Sequence, residues 1–140
     1  MEINSELITV YIPTYNRVKF LKRAVNSVLS QSHQNFELII VDDRSQDETI
    51  QYLEKLSSND KRIIFFQNIK NSGACVSRNK AISEAKGKYI TGLDDDDEFT
   101  PDRLEFLLKN FKKNYSFICS SLIVVDSKKS RCSSCRDLVF

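Results

Sequence analysis

Four short apolar runs recur along this 140-residue chain, and helix-periodic stretches separate them. The runs are ELITVYI (6–12), FELIIV (36–41), RIIFF (62–66) and KYITGL (88–93). Each is rich in β-branched and aromatic residues and is bounded by turn formers, the pattern of a strand. Between the first two, Phe20, Leu21, Ala24, Val25, Val28 and Leu29 step by three and four, which predicts a helix over Val18–Ser32. Asp47 is placed to cap a second helix carrying Ile50, Leu53 and Leu56. A third, Ala74–Lys86, follows the turn Asn71-Ser72-Gly73, with Gly87 as its stop. Thr100-Pro101-Asp102 reads as a fourth helix opening, Thr100 as cap and Pro101 in the first turn, ahead of Leu104, Leu107, Leu108 and Phe111. Ser116–Val125 is long enough for a fifth strand.

Strict β-α alternation with near-continuous apolar strands predicts an α/β fold: a mostly parallel sheet with helices on both faces. Residues 1–125 are expected to form one domain and 126–140 a tail. In such sheets ligands bind beyond the carboxyl ends of the strands, where the strand order reverses. Three chemically loaded stretches follow strands: Pro13-Thr14-Tyr15-Asn16-Arg17, Asp42-Asp43 and the acidic run Asp94–Glu98. A parallel sheet places all three on one edge.

The acidic run is the most informative of them. Adjacent carboxylates repel, and burying one unpaired costs several kcal/mol. Hard divalent cations such as Mg2+ or Mn2+ take one or two carboxylates and complete their shell with phosphate oxygens and water. The run lacks the alternation and central glycine of a calcium-binding EF-hand loop. The formal net charge is +2, so setting aside the five acids of Asp94–Glu98 leaves a basic remainder, suited to an anionic ligand bridged by a cation.

Other classes lack their signatures. Neither common glycine-rich phosphate loop is present. The single histidine, His33, falls at the end of the first helical segment, where a surface position is expected and no Ser-His-Asp set can form. Cys132 and Cys135 have CxxC spacing but no partner ligands for zinc, so the spacing is read as chance and the four cysteines as reduced thiols. No apolar stretch approaches the ~20 residues that span a bilayer, and no leader peptide is read at the N-terminus. No nucleic-acid partner is expected.

Taken in order, ITVYIPTYNR (8–17), FELIIVDDRSQDET (36–49), NSGACVSRNKAISEAKGKYITGLDDDD (71–97) and FTPDRL (99–104) resemble family 2 glycosyltransferases, inverting enzymes with the GT-A fold and nucleotide-sugar donors. The resemblance implies that Thr14 and Tyr15 line the nucleotide pocket, with Tyr15 against the base. It implies that Asp43 accepts a uracil-type N–H and that Arg78 lies near the nucleotide or diphosphate. The family's DxD element maps onto Asp94-Asp95-Asp96: Asp96 would hold Mn2+ or Mg2+, and Asp94 and Asp95 would face ribose or donor sugar. Asp97 stays in play, because four adjoining aspartates allow the register to slip by one.

The implied partners are a nucleotide-sugar donor, UDP by preference, and a glycan or lipid-linked acceptor. The implied location is cytoplasmic, with peripheral contact at the inner face of a membrane left open. Family members are usually longer, so the catalytic base is expected outside this chain. The alternatives are a truncated, non-catalytic nucleotide- and metal-binding domain and, more distantly, a phospho-receiver domain. The latter would need its acceptor aspartate after the third strand, where Phe66-Gln67-Asn68 stands.

Overall fold

A computed structural model describes residues 6–112, 114–120, 122–125 and 130–133. Its elements alternate as the patterning predicts: β1 (Ile8–Thr14), α1 (Val18–Leu29), β2 (Phe36–Asp42), α2 (Thr49–Asn59), β3 (Ile63–Gln67), α3 (Ala74–Glu84), β4 (Tyr89–Gly92) and α4 (Arg103–Asn110). All four strands are parallel, in the order β3-β2-β1-β4. The chain steps outward from β1 to β3 and then returns to the far side of β1. The strand order therefore reverses between β1 and β4, and the acidic run leaves β4 at that reversal.

Alternation along the strands sorts side chains to two faces. Ile8, Val10 and Ile12 of β1 and Phe36, Leu38 and Ile40 of β2 pack with Leu21, Ala24, Val25 and Val28 of α1, Leu53 of α2, and Leu104 and Leu108 of α4. Full burial of a valine, leucine, isoleucine or phenylalanine side chain among these stabilises the fold by about 1.5–3 kcal/mol. The opposite face is thinner: Ile39 and Val41 meet Ala81 of α3, with Tyr11, Phe66 and Ala85, just past the end of α3, alongside. Within it the Glu37 carboxylate is buried, and Oε1 accepts from the Thr9 hydroxyl at 2.5 Å and from the Lys86 and Gly87 backbone N–H groups at 2.6 and 3.2 Å.

Several local expectations are corrected. β1 runs through Pro13 to Thr14 instead of stopping at the proline. Its pairing with β4 ends at Tyr11↔Gly92, so the missing proline N–H faces no ladder partner on that side. Helix α1 stops at Leu29, short of Ser32. His33 is 4% exposed, not on the surface, and its Nε2 lies 3.1 Å from the Glu6 carbonyl and 3.0 Å from that of Asn35. A buried imidazole bonded to main-chain carbonyls is a strut between the α1–β2 connection and the start of β1.

Thr100 does not cap α4, which begins at Arg103. The cap is non-local: Gln31 Oε1 accepts from the Leu104 N–H at 3.0 Å, and Gln31 Nε2 donates to the Thr100 carbonyl at 2.6 Å. Helix α3 ends at Glu84, so Gly87 is not its stop. Gly87 is required by proximity, since a Cβ there would lie 2.4 Å from the Thr9 nitrogen.

The expected fifth strand narrows to β5 (Leu122–Val125), which lies outside the parallel sheet. It pairs antiparallel with β6 (Ser130–Ser133), a strand within the segment read as a tail. Cys135, and with it the CxxC spacing, lies outside the described residues.

Candidate functional site

The loop after β1 is fixed by the loop after β2. The Asp43 N–H donates to the Thr14 carbonyl at 2.9 Å, continuing the strand pairing by one bond. Asn16 then turns the chain with φ of 53°, a left-handed conformation that asparagine tolerates better than most residues. Its N–H donates to Ser45 Oγ at 2.8 Å, and its Oδ1 accepts from the Gln46 N–H at 2.7 Å. Asp47 completes the clamp. Its Oδ2 accepts from Val18, the first residue of α1, at 3.2 Å, while Oδ1 accepts from the N–H and hydroxyl of Thr49, the first residue of α2. One carboxylate thus satisfies an orphan N–H at the head of two helices. Burial opposes ionisation of Asp47, and these hydrogen bonds outweigh it, holding its carboxyl below the ordinary range.

The two aspartates after β2 divide their work. Asp42 is fully buried and accepts from the Ser45 N–H and from Gln67 Nε2, closing the turn. Asp43 points the other way, toward the loop that opens α3. Its Oδ1 accepts from Asn68 Nδ2 at 2.7 Å and the Ser72 N–H at 2.8 Å, and Oδ2 from the Gly73 N–H at 2.7 Å. Gly73 adopts φ of 88°, which a side chain would strain. Burial raises the Asp43 carboxyl, but the three donors prevail and its pKa is lowered. One lone pair on Oδ2 is left for a further donor.

The acidic run fans out by residue. Asp94 Oδ1 accepts from Arg78 Nη2 at 2.7 Å. Asp95 is 6% exposed; its Oδ2 accepts from the Thr14 hydroxyl at 2.8 Å, and its Oδ1 lies 3.3 Å from Arg17 Nη1. The same Arg17 nitrogen donates to Asp96 Oδ2 at 2.8 Å. Asp97 closes a turn on the Asp94 carbonyl; loss of hydration first, then repulsion by Asp96 and Asp94, raises its carboxyl. Glu98 pairs with Arg23 of α1.

Thr14, Tyr15, Asp43, Arg78, Asp94, Asp95 and Asp96 line one open cleft of about 350 Å³ at the carboxyl ends of β1, β2 and β4. Asp97 and Glu98 do not line it. The cleft also contains Pro13, Ala74, Ser77 and Arg17, which the sequence reading did not single out. For Arg17 there was a signal: it is the one cation in the loop after β1, facing an acidic run across the strand-order reversal. Its partners are 78 and 79 residues away and could not be named. Ser77 receives Asn68 Nδ2 at 3.0 Å and carried no such signal.

Among the described residues no three acidic, histidine or cysteine side chains converge as a closed metal cage. The donors that are present suit a shared site instead. Asp94 and Asp96 are both exposed in the cleft, and ions of the Mg2+ class need only one or two carboxylates when phosphate and water supply the rest.

The model of the family described as Glycosyl transferase family 2 matches residues 9–137. The chain belongs to glycosyl transferase family 2. Its likeness to other family 2 members is substantial. It is 51% identical over 107 residues to WcaA of Escherichia coli K12, whose name proposes a colanic acid biosynthesis glycosyl transferase; the match covers 75% of this chain and 38% of that protein. To TuaG of Bacillus subtilis, named for teichuronic acid biosynthesis, it is 41% identical over 123 residues, covering 86% of this chain and 49% of that one. The chain therefore spans less than half the length of either relative.

Among solved structures, TarS 1–349 of S. aureus in complex with UDP-GlcNAc aligns with a TM-score of 0.65 at 33% identity, over 71% of this chain and 29% of that one. A mannosyltransferase of Pyrobaculum calidifontis, solved with GDP-Man and Mn2+, aligns with a TM-score of 0.74 at 20% identity, over 82% of this chain and 35% of that one, a likeness of fold. The α/β class expected from the patterning is thus the fold of these GT-A glycosyltransferases.

Proposed function

We propose that this chain binds the nucleoside diphosphate part of a sugar donor, UDP by preference, and forms the donor side of an inverting glycosyltransferase acting on a glycan or lipid-linked acceptor. The observation that carries the reading is the convergence of seven expected site residues, from four separate segments, on one cleft at the strand-order reversal. The UDP and UDP-GlcNAc complexes of TarS support the choice of donor, and the colanic and teichuronic acid names of the relatives support a role in polysaccharide synthesis.

In this reading Tyr15, partly exposed at the rim, stacks on the base, and Asp43 receives the imide N–H on its remaining Oδ2 lone pair. Arg78 sits against the diphosphate. Asp94 and Asp95 face ribose or sugar hydroxyls, with Asp95 held in place by Thr14. Asp96 holds Mn2+ or Mg2+, which supplies charge neutralisation to the departing diphosphate. Four carboxylates against two guanidiniums leave the cleft net negative, so an anionic diphosphate is admitted only together with a cation. The acceptor hydroxyl attacks the anomeric carbon from the face opposite the leaving group, and its proton goes to a base outside these residues. No described helix is long and apolar enough to cross a membrane, and a lipid-linked acceptor would be met at the inner membrane face.

Calorimetric titration of UDP with Mn2+ tests the reading. Binding is expected with the metal and not with a chelator, and Asp96→Ala is expected to abolish the metal-dependent part. Absence of binding to the native chain, or an unchanged metal dependence in the variant, contradicts it.

A further inference from the structure

We propose that Arg17 is an exchangeable counter-ion of the cleft: it neutralises Asp95 and Asp96 in the absence of donor, and passes to the diphosphate when Asp96 takes a divalent ion. The proposal rests on the donor-binding reading above and adds a positioning residue that the family resemblance did not supply.

The two carboxylates that Arg17 touches differ in freedom. Asp95 is buried and also tied to Thr14, so it keeps its place. Asp96 has its side chain 49% exposed, and among the described residues that side chain bonds only to Arg17, at 2.8 Å. An exposed pair of this kind is weak and screened by solvent, so a divalent ion displaces it at small cost.

Arg17 itself is anchored at one end and free at the other. Its carbonyl accepts from the Phe20 and Leu21 N–H groups at 3.0 and 2.9 Å, and the Asn16 and Asp47 bonds flank it on either side. Its guanidinium is half exposed inside the cleft and contacts both acids through Nη1 alone. Nε and Nη2 make no hydrogen bond or ion pair among the described residues. A guanidinium with two unused donors on a fixed stem is suited to a bidentate grip on phosphate. Once Asp96 is taken by a cation, Asp95 keeps one edge of the guanidinium and a diphosphate in the cleft can occupy the donors that are left.

The test separates metal binding from nucleotide binding. Mn2+ alone, and then UDP at saturating Mn2+, are titrated into the native chain, Arg17→Gln, Arg17→Lys and the control Arg23→Gln, whose partner Glu98 lies outside the cleft. Thermal unfolding verifies that each variant is folded. Arg17→Gln is expected to bind Mn2+ alone about two- to fivefold more tightly, the value of an exposed ion pair as an equilibrium constant. It is expected to bind UDP about tenfold more weakly, the value of a lost charge-assisted contact. Arg17→Lys should recover part of the UDP affinity, and Arg23→Gln should change neither. If the native chain binds UDP with Mn2+ while Arg17→Gln shows unchanged or weaker Mn2+ binding, or unchanged UDP binding, the exchange is refuted and the donor site stands. If the native chain does not bind UDP with Mn2+, both fall.

Discussion

The Thr14 hydroxyl donates to Asp95 Oδ2 at 2.8 Å, joining the end of β1 to the acidic loop across 81 residues of sequence. That bond turns a repulsive run of aspartates into an oriented one. Asp95 is drawn inward, and Asp94 and Asp96 on either side are turned to Arg78 and Arg17 at the cleft wall.

Thr14→Val keeps the shape and removes the donor. It leaves a buried carboxylate oxygen short of a partner, and hydrogen bonds to charged groups are worth about 1.5–3 kcal/mol. Chemical denaturation should show a loss in that range, and UDP affinity should fall with it because Asp94 and Asp96 lose their register.

Asp47→Ala removes acceptors from the heads of α1 and α2 together. A single lost cap costs about 1 kcal/mol, so a loss near 2 kcal/mol is expected by urea denaturation. Asp47→Asn, which keeps an acceptor oxygen, should recover much of it.

Gly87→Ala tests packing remote from the cleft. The added Cβ would meet the Thr9 nitrogen at 2.4 Å and Thr9 Oγ1 at 2.7 Å, both fixed by β1. Forced overpacking costs about 1–3 kcal/mol, so the midpoint of unfolding should drop with no specific effect on nucleotide binding beyond the loss of folded chain.

Acid stability follows from Asp43 and Asp47, whose carboxyls are lowered in the folded chain. A group with a depressed folded pKa contributes stability above its unfolded value that is lost as pH falls through the folded one. Stability should therefore hold from neutrality down to the ordinary aspartate value of 3.8 and decline below it. Asp43→Asn should lower stability at neutral pH and flatten the acid limb, as read from unfolding midpoints across pH.

Much of this architecture was legible because it is written locally. The four parallel strands and four helices follow from runs such as FELIIV and the α1 stripe, whose periods are intrinsic to the elements they form. Elements settled by distant contacts were misread. His33 looked like a helix-end surface residue, yet the Glu6 and Asn35 carbonyls bury it. The cap of α4 comes from Gln31, and no local cap pattern can reveal an acceptor 73 residues away. Ser116–Val125 has strand composition, but only pairing decides which sheet a strand joins, and Leu122–Val125 pairs with Ser130–Ser133. The cleft was visible through the strand-end rule applied to Thr14, Tyr15, Asp43 and the acidic run. Arg17 was not singled out, because its importance lies in what it touches.

The most direct test of the central claim is the map of amide shifts in a 15N-labelled chain on addition of UDP with Mg2+, repeated with trace Mn2+. The account predicts shifts confined to Thr14–Arg17, Asp43, Ser72–Arg78 and Asp94–Asp96, with Mn2+ broadening centred on Asp96. Shifts centred elsewhere, such as on Tyr89–Thr91 of β4 and Leu104, Leu107 and Leu108 of α4, which line a second cavity, or broadening that spares the acidic loop, would contradict it.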